Sequence, residues 1–155
     1  MHFTVDRAPK RSPQFRTKKG GYNRRQLIWT CARCQRQHTT KPEQCQSCAA
    51  VEMHYFQSRK EAHRYANLLL QQGGGRISDL EVHPTFPVYG FALLNEKPVL
   101  LFKYIADFSY VRDGVKVIED VKPSMNAASF DDVFVLKRRA VEKLYGVTIT
   151  IYAGV

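Results

Sequence analysis

The sequence predicts an α/β domain of order α-β-β-β-α-β, preceded by a small cysteine-bound ribbon and a basic arm. Three observations predict it. Two helical stretches with capping residues bracket a run of β-rich segments, two of those segments meet at an Asp-Gly, and four cysteines fall in two C-x2-C pairs ahead of the first helix.

Residues 1–26 form the arm. They hold Arg7, Lys10, Arg11, Arg16, Lys18, Lys19, Arg24 and Arg25 against Asp6 alone, so most of the chain's net charge of +10 sits there. With few aliphatic residues, such a segment cannot bury a core of its own. A basic arm suits a polyanion, and nucleic acid is the commonest in a cytosol; the plainer use is a solubilising tail. No run approaches the ~18 apolar residues of a membrane span, and the charged N-terminus lacks the apolar core of a secretory signal. A cytoplasmic location is therefore expected, with a host cytoplasm if the gene is phage-borne.

Residues 27–55 form the ribbon. Cys31, Cys34, Cys45 and Cys48 read C-x2-C-x10-C-x2-C and account for every cysteine in the chain. Two such knuckles offer four thiolates to one ion, the donor set of structural zinc, with no position left for a reactive water. Disulfides are disfavoured in a reducing compartment. His38, between the knuckles, is expected at the surface. Trp29 is expected to pack on the knuckle, with stacking on a nucleobase as its other use. Arg33, Arg36 and Lys41 are available to phosphates.

Residues 56–155 form the compact domain. The stretch 58–75, "SRKEAHRYANLLLQQGGG", opens on Ser58 as an N-cap, places Ala62, Tyr65, Ala66, Leu69 and Leu70 at helical spacing, and stops at three glycines. Residues 76–82 are a short strand candidate outside the core order; 89–95, 98–111 and 115–122 are the three core strands. Pro84 and Pro87 are expected to break the stretch between the first two. The second helix spans 129–146, with Ser129 as N-cap, Asp131 and Asp132 in the first turn and Gly146 at the end. Residues 147–153, "VTITIYA", close the sheet.

The hairpin at Asp113-Gly114 raises a chemical question. A two-residue type I′ loop sets Arg112 opposite Val115, and the same register sets Asp107 opposite Asp120. Alternation puts Asp107, Asp120 and Lys122 on one face and Glu119 on the other. Like charges across a ladder are destabilising, so such a pair implies a neutralising cation or a shared proton. Carboxylate oxygens suit magnesium or manganese. Glu119 would replace Asp120 only if a bulge shifted the register by one.

An acid, twelve residues, then Asp120-Val121-Lys122 resembles the PD-(D/E)XK nuclease superfamily, the restriction-endonuclease-like fold. Residues 56–152 are similar to small phage and prophage members of it, among them Holliday-junction-resolvase-like enzymes. The family's proline before the first acid is replaced here by Ala106. The resemblance implies a mixed central sheet, with Glu61, Asp107, Asp120 and Lys122 catalytic. Asp107, Asp120 and the Val121 carbonyl would ligate Mg2+ or Mn2+. Ser58-x-x-Glu61 is also a capping box, which would account for Glu61 without catalysis. Lys137, Arg138 and Arg139 would hold the DNA backbone beside the cut, or form a solvated helix face.

The expected function is a metal-dependent endonuclease for branched or structured DNA, working as a homodimer with structural Zn2+ and catalytic Mg2+ or Mn2+. Arg24, Arg25, Arg33 and Arg36 would assist binding. The alternatives are a catalytically inactive nucleic-acid-binding protein that uses ribbon and arm, and a nuclease for RNA or single-stranded ends.

Overall fold

The structure is a computed structural model that describes residues 27–91, 97–126 and 130–154. The arm, including Arg24 and Arg25, lies outside the described residues. No helix among those described is long and apolar enough to cross a membrane. Among the described residues the architecture is mixed α/β, with two helices and three sheets.

The ribbon comprises β1 (Ile28–Cys31), β2 (Gln37–His38) and β3 (Met53–Phe56), ordered β2-β1-β3 with antiparallel pairings. The strand β3 runs directly into α1 (Arg59–Gly73), whose N-cap is Ser58. Phe56 is fully buried among Tyr65, Leu68 and Phe108, and Ile28 packs on the same cluster. The last residue of the ribbon's sheet is thus part of the domain core, so the ribbon is anchored rather than strung on a linker.

The four-stranded sheet has the order β4-β7-β8-β9: β4 (Ser78–Val82), β7 (Phe108–Arg112), β8 (Val115–Val121) and β9 (Ile149–Tyr152). Pairings are antiparallel except β8 with β9, which run parallel around the crossover α2 (Asp132–Tyr145). The β7–β8 register has Arg112 opposite Val115, and the turn residues Asp113 and Gly114 take φ of 51° and 77°. Both lie in the left-handed region that a type I′ turn demands.

A separate pair, β5 (Thr85–Phe91) with β6 (Pro98–Ile105), corrects the expected strand list. Residues 98–111 are not one straight strand, and 76–82 is not an extra one. Thr85 lies opposite Ile105 and Val82 opposite Phe108. Between them His83 N donates to Asp107 O at 3.0 Å and Ala106 N to Pro84 O at 3.1 Å. The register is therefore continuous across the bend: β4/β5 and β6/β7 are the two arms of one hairpin, bent at 83–84 and 106–107. His83 has a positive φ of 55°, and Pro84 offers no N–H, so a flat ladder cannot pass this point. Counted as a bent hairpin, the chain keeps the order α-β-β-β-α-β.

The helices cover opposite faces of the four-stranded sheet. Ala62, Tyr65 and Leu68 of α1 pack against Phe108, Tyr110 and Val121, whereas Val141 of α2 packs with Ile118, Ile149 and the outer hairpin's Val88 and Tyr104. The buried face of α1 is rotated from the expected one, because Leu70 is exposed and Arg64 is buried. Asp131 is the N-cap of α2, accepting from Val133 N at 2.8 Å, whereas Ser129 lies outside the described residues. Gly146 ends the helix at φ 63°.

Candidate metal centres and the acidic cleft

Sequence spacing made two knuckles; the fold makes them equivalent. Cys31 N donates to Arg36 O and Gln35 N to Cys31 O, both at 3.0 Å; Cys45 N donates to Ala50 O at 2.7 Å and Ala49 N to Cys45 O at 2.8 Å. Gln35 and Ala49 occupy matching positions with φ of 63° and 57°. Two non-glycine residues in this region cost strain that a bound ion would offset. The backbone N–H groups of Arg33 and Cys34 point at the Cys31 sulfur, and those of Ser47 and Cys48 at Cys45.

The four sulfur atoms lie within 4.8 Å of one another, with Cys31–Cys48 at 3.5 Å and Cys34–Cys45 at 3.4 Å. Those separations are far outside the ~2.05 Å of a disulfide and within a few tenths of the ~3.8 Å expected for tetrahedral thiolates around one ion. The cysteines are positioned to bind a metal ion. The Ser47 amide holds the Cys45 thiol down to about 5, against its burial, with help from His38 and Cys34. His38 is therefore not a free surface residue: its Nε2 is buried beside the cluster with no oxygen or nitrogen partner. Trp29 lies 5.7 Å from Tyr55 and under Lys41 at 5.4 Å, so its ring is spent on packing. Arg36 donates to Ser47 at 2.5 Å, tying the knuckles together, while Arg33 is exposed.

The second site is a cleft of about 760 Å³ where the bent hairpin, β8 and both helices converge. Glu61, Asp107, Asp120, Val121, Lys122 and Lys137 all line it. Asp107 sits at the hairpin bend. Its N donates to Glu119 O at 3.1 Å, one residue out of step with the β7–β8 ladder, so Asp107 does not directly oppose Asp120 as expected. A local bulge at the strand end accounts for the offset. The Val121 amide instead donates to Asp107 Oδ2 at 2.6 Å. Burial, then the Asp120 charge, push the Asp107 carboxyl up to about 7, opposed by the Val121 bond.

Asp120 is 4% exposed. Its Oδ1 pairs with Lys122 and its Oδ2 accepts from the Tyr104 hydroxyl at 2.5 Å. Burial and Asp120 together raise the Tyr104 pKa, so the phenol remains a donor. Lys122 Nζ also lies 4.2 Å from the Phe134 ring centre. Glu61 is engaged otherwise: Oε2 accepts from Gln57 N and Oε1 from Ser58 Oγ, both at 2.8 Å, while Glu61 N donates back to Ser58 Oγ at 3.2 Å. That is a capping box whose glutamate reaches one residue beyond the N-cap amide. Among the described residues, only the four cysteine sulfurs form a group of three or more metal-ligating atoms within 4.8 Å, so Glu61 does not close on the two aspartates.

Glu119 points to the other face. It receives Arg64 through two bonds, Nε to Oε1 at 2.6 Å and Nη2 to Oε2 at 2.7 Å, and Oε2 also accepts from the Tyr110 hydroxyl at 2.9 Å. The Arg64 guanidinium stacks 3.9 Å from the Tyr152 ring. Arg138 pairs with Glu142 at 3.1 Å and Arg139 is exposed outside the cleft; of the three basic residues assigned to the backbone, Lys137 alone lines it. Sequence reasoning missed Tyr104, Arg64 and Lys103, which also lines the cleft. An arginine on the apolar side of a helix, three residues after Glu61, was the one available signal for Arg64.

A family model described as "Protein of unknown function (DUF1064)" matches residues 47–148, from within the second knuckle to the residue before β9. No curated protein and no solved structure matches.

Proposed function

The chain belongs to the DUF1064 family, and we propose that it is a metal-dependent endonuclease of the PD-(D/E)XK type, acting on branched or structured DNA. One observation carries the reading: an aspartate at the hairpin bend and one on β8 line the same basic-walled cleft, with a lysine two residues after the second paired to it. The α-β-β-β-α-β order around a sheet with one parallel pairing supports the same reading.

The fit to a hard divalent cation rests on the chain's own atoms. The Lys122 ammonium already stands on Asp120 Oδ1, a cation where the ligand set calls for one, and Asp107 resists ionising beside Asp120 without more positive charge. Asp107, Asp120 and the Val121 carbonyl would hold Mg2+ or Mn2+. Such an ion polarises a phosphate and acidifies a bound water. Lys122 would donate to the non-bridging oxygen where charge develops. Lys137 and Lys103 would hold neighbouring phosphates. Glu61 fixes the start of α1 at the cleft rim.

The ribbon ion is read as structural zinc, since four thiolates suit it and complete its shell. DNA as the partner, a homodimer and a cytoplasmic location belong to the same proposal. The chain's net charge of +10 supports the polyanion.

A second reading has an observation of its own. Both Asp120 oxygens and both Glu61 oxygens are taken by protein donors, as suits an inactive nucleic-acid-binding module. One experiment separates them: full-length protein is incubated with four-way junction, linear duplex, single strand and RNA, with Mg2+ and then EDTA. Cleavage of the junction that stops with EDTA supports the nuclease; binding without cleavage of any substrate supports the module. Cleavage confined to RNA or single strands keeps the chemistry and replaces the substrate.

A further inference from the structure

We propose that Tyr104, carried on the outer arm of the bent hairpin, is a positioning residue for Asp120: its phenol commits Oδ2, so that Oδ1, where the Lys122 ammonium now stands, is the one oxygen a single divalent cation would take in its place. The inference rests on the reading of Asp107 and Asp120 as cation ligands and deepens it.

Tyr104 reaches Asp120 from another sheet, 16 residues away in sequence. Its ring cannot wander. It is 5% exposed, packed in the cluster of Val88, Ala106, Ile118 and Val141, with Phe86 opposite it in the ladder. A tyrosine has only two side-chain torsions, so a fixed ring fixes its hydroxyl to within rotation about one bond. Charge balance does not need this phenol, because Lys122 already neutralises Asp120. What the phenol adds is direction: a carboxylate with one oxygen tied cannot rotate to offer both. Asp107 is limited in the same way by the Val121 amide on its Oδ2. Two aspartates with one oxygen each to give suit one cation better than two. Partners of this kind behind a metal ligand typically change affinity ~10–100-fold when removed.

The test is Mn2+ binding followed by electron paramagnetic resonance on the full chain, purified without chelator. Wild type should bind one Mn2+ per chain at the cleft, and Tyr104→Phe, which removes a single oxygen, should bind it ~10–100-fold more weakly. Val88→Ala, a packing change in the same cluster, should lower the thermal midpoint yet leave Mn2+ affinity within about twofold. A Tyr104→Phe affinity within twofold of a wild type whose binding Asp120→Asn abolishes overturns the inference and spares the cation reading. A weakening matched by Val88→Ala reduces Tyr104 to packing and also overturns it. A wild type that binds no Mn2+ removes both readings together.

Discussion

The Val121 backbone N–H donates to Oδ2 of Asp107 at 2.6 Å. A side-chain carboxylate here takes the place a strand carbonyl would hold, at the point where the bent hairpin leaves the sheet. That bond locks Asp107 beside Asp120 without a regular ladder partner, and it makes the acidic pair a feature of the fold rather than of a straight hairpin.

Asp107→Asn and Asp120→Asn should each abolish metal-dependent cleavage, at least ~10³-fold, while nucleic-acid affinity persists or tightens with the loss of a negative charge. Lys122→Ala should lose most cleavage yet keep Mn2+ binding, since lysine is not a ligand. A cleavage assay paired with a binding isotherm decides. Wild-type cleavage in all three variants would place the active site elsewhere.

Asp107 also predicts a pH dependence in protein freed of divalent cations. Its carboxyl is pushed up to about 7 in the fold, by burial first and Asp120 second, against an ordinary 3.8. Between those values the folded state binds the extra proton, so its contribution to stability is complete below about 4 and is lost as pH rises through about 7. The difference in thermal midpoint between wild type and Asp107→Asn should therefore shift against wild type from pH 5 to pH 8. Saturating Mg2+ should suppress the shift. A pH-independent difference would mean that Asp107 ionises normally.

Glu119→Gln is the natural control for strand register, but the Arg64 pair changes what it reports. Both partners are buried, so neutralising one strands the other's charge, at a cost of about 3–5 kcal/mol. Glu119→Gln and Arg64→Met should each lower the denaturation midpoint strongly, and the double variant should recover part of the loss. Cleavage per folded molecule should survive in Glu119→Gln. If it vanishes while Asp120→Asn cuts, Glu119 is the ligand.

Metal analysis of protein purified without chelator should find one equivalent of zinc in the ribbon. Because Phe56 sits in the domain core and Ile28 packs against it, Cys31→Ser should lower the stability of the compact domain as well as unfold the ribbon. Gln35→Gly and Ala49→Gly should each stabilise by about 0.5–1 kcal/mol, relieving left-handed φ values. Destabilisation by both glycines would contradict the matched-knuckle geometry.

The sequence by itself determined what depends on neighbours in the chain. The Asp113-Gly114 turn needs two left-handed residues and so sets the β7–β8 register within a few residues. Ser58 and Gly146 bound helices through contacts within one turn. Two C-x2-C pairs converge because each knuckle is a closed local loop, although the sequence could not say that His38 would turn inward. Only the tertiary structure decided the rest. The bend at 83–84 and 106–107 arises where two distant segments leave a flat ladder together, and it displaces Asp107 from its expected partner. Tyr104 meets Asp120 across 16 residues and Arg64 meets Glu119 across 55, through side chains whose neighbours are chosen by packing. Phe56 joins the core from the ribbon for the same reason: burial of an aromatic ring is non-directional, and nothing local in the chain specifies which cavity it fills.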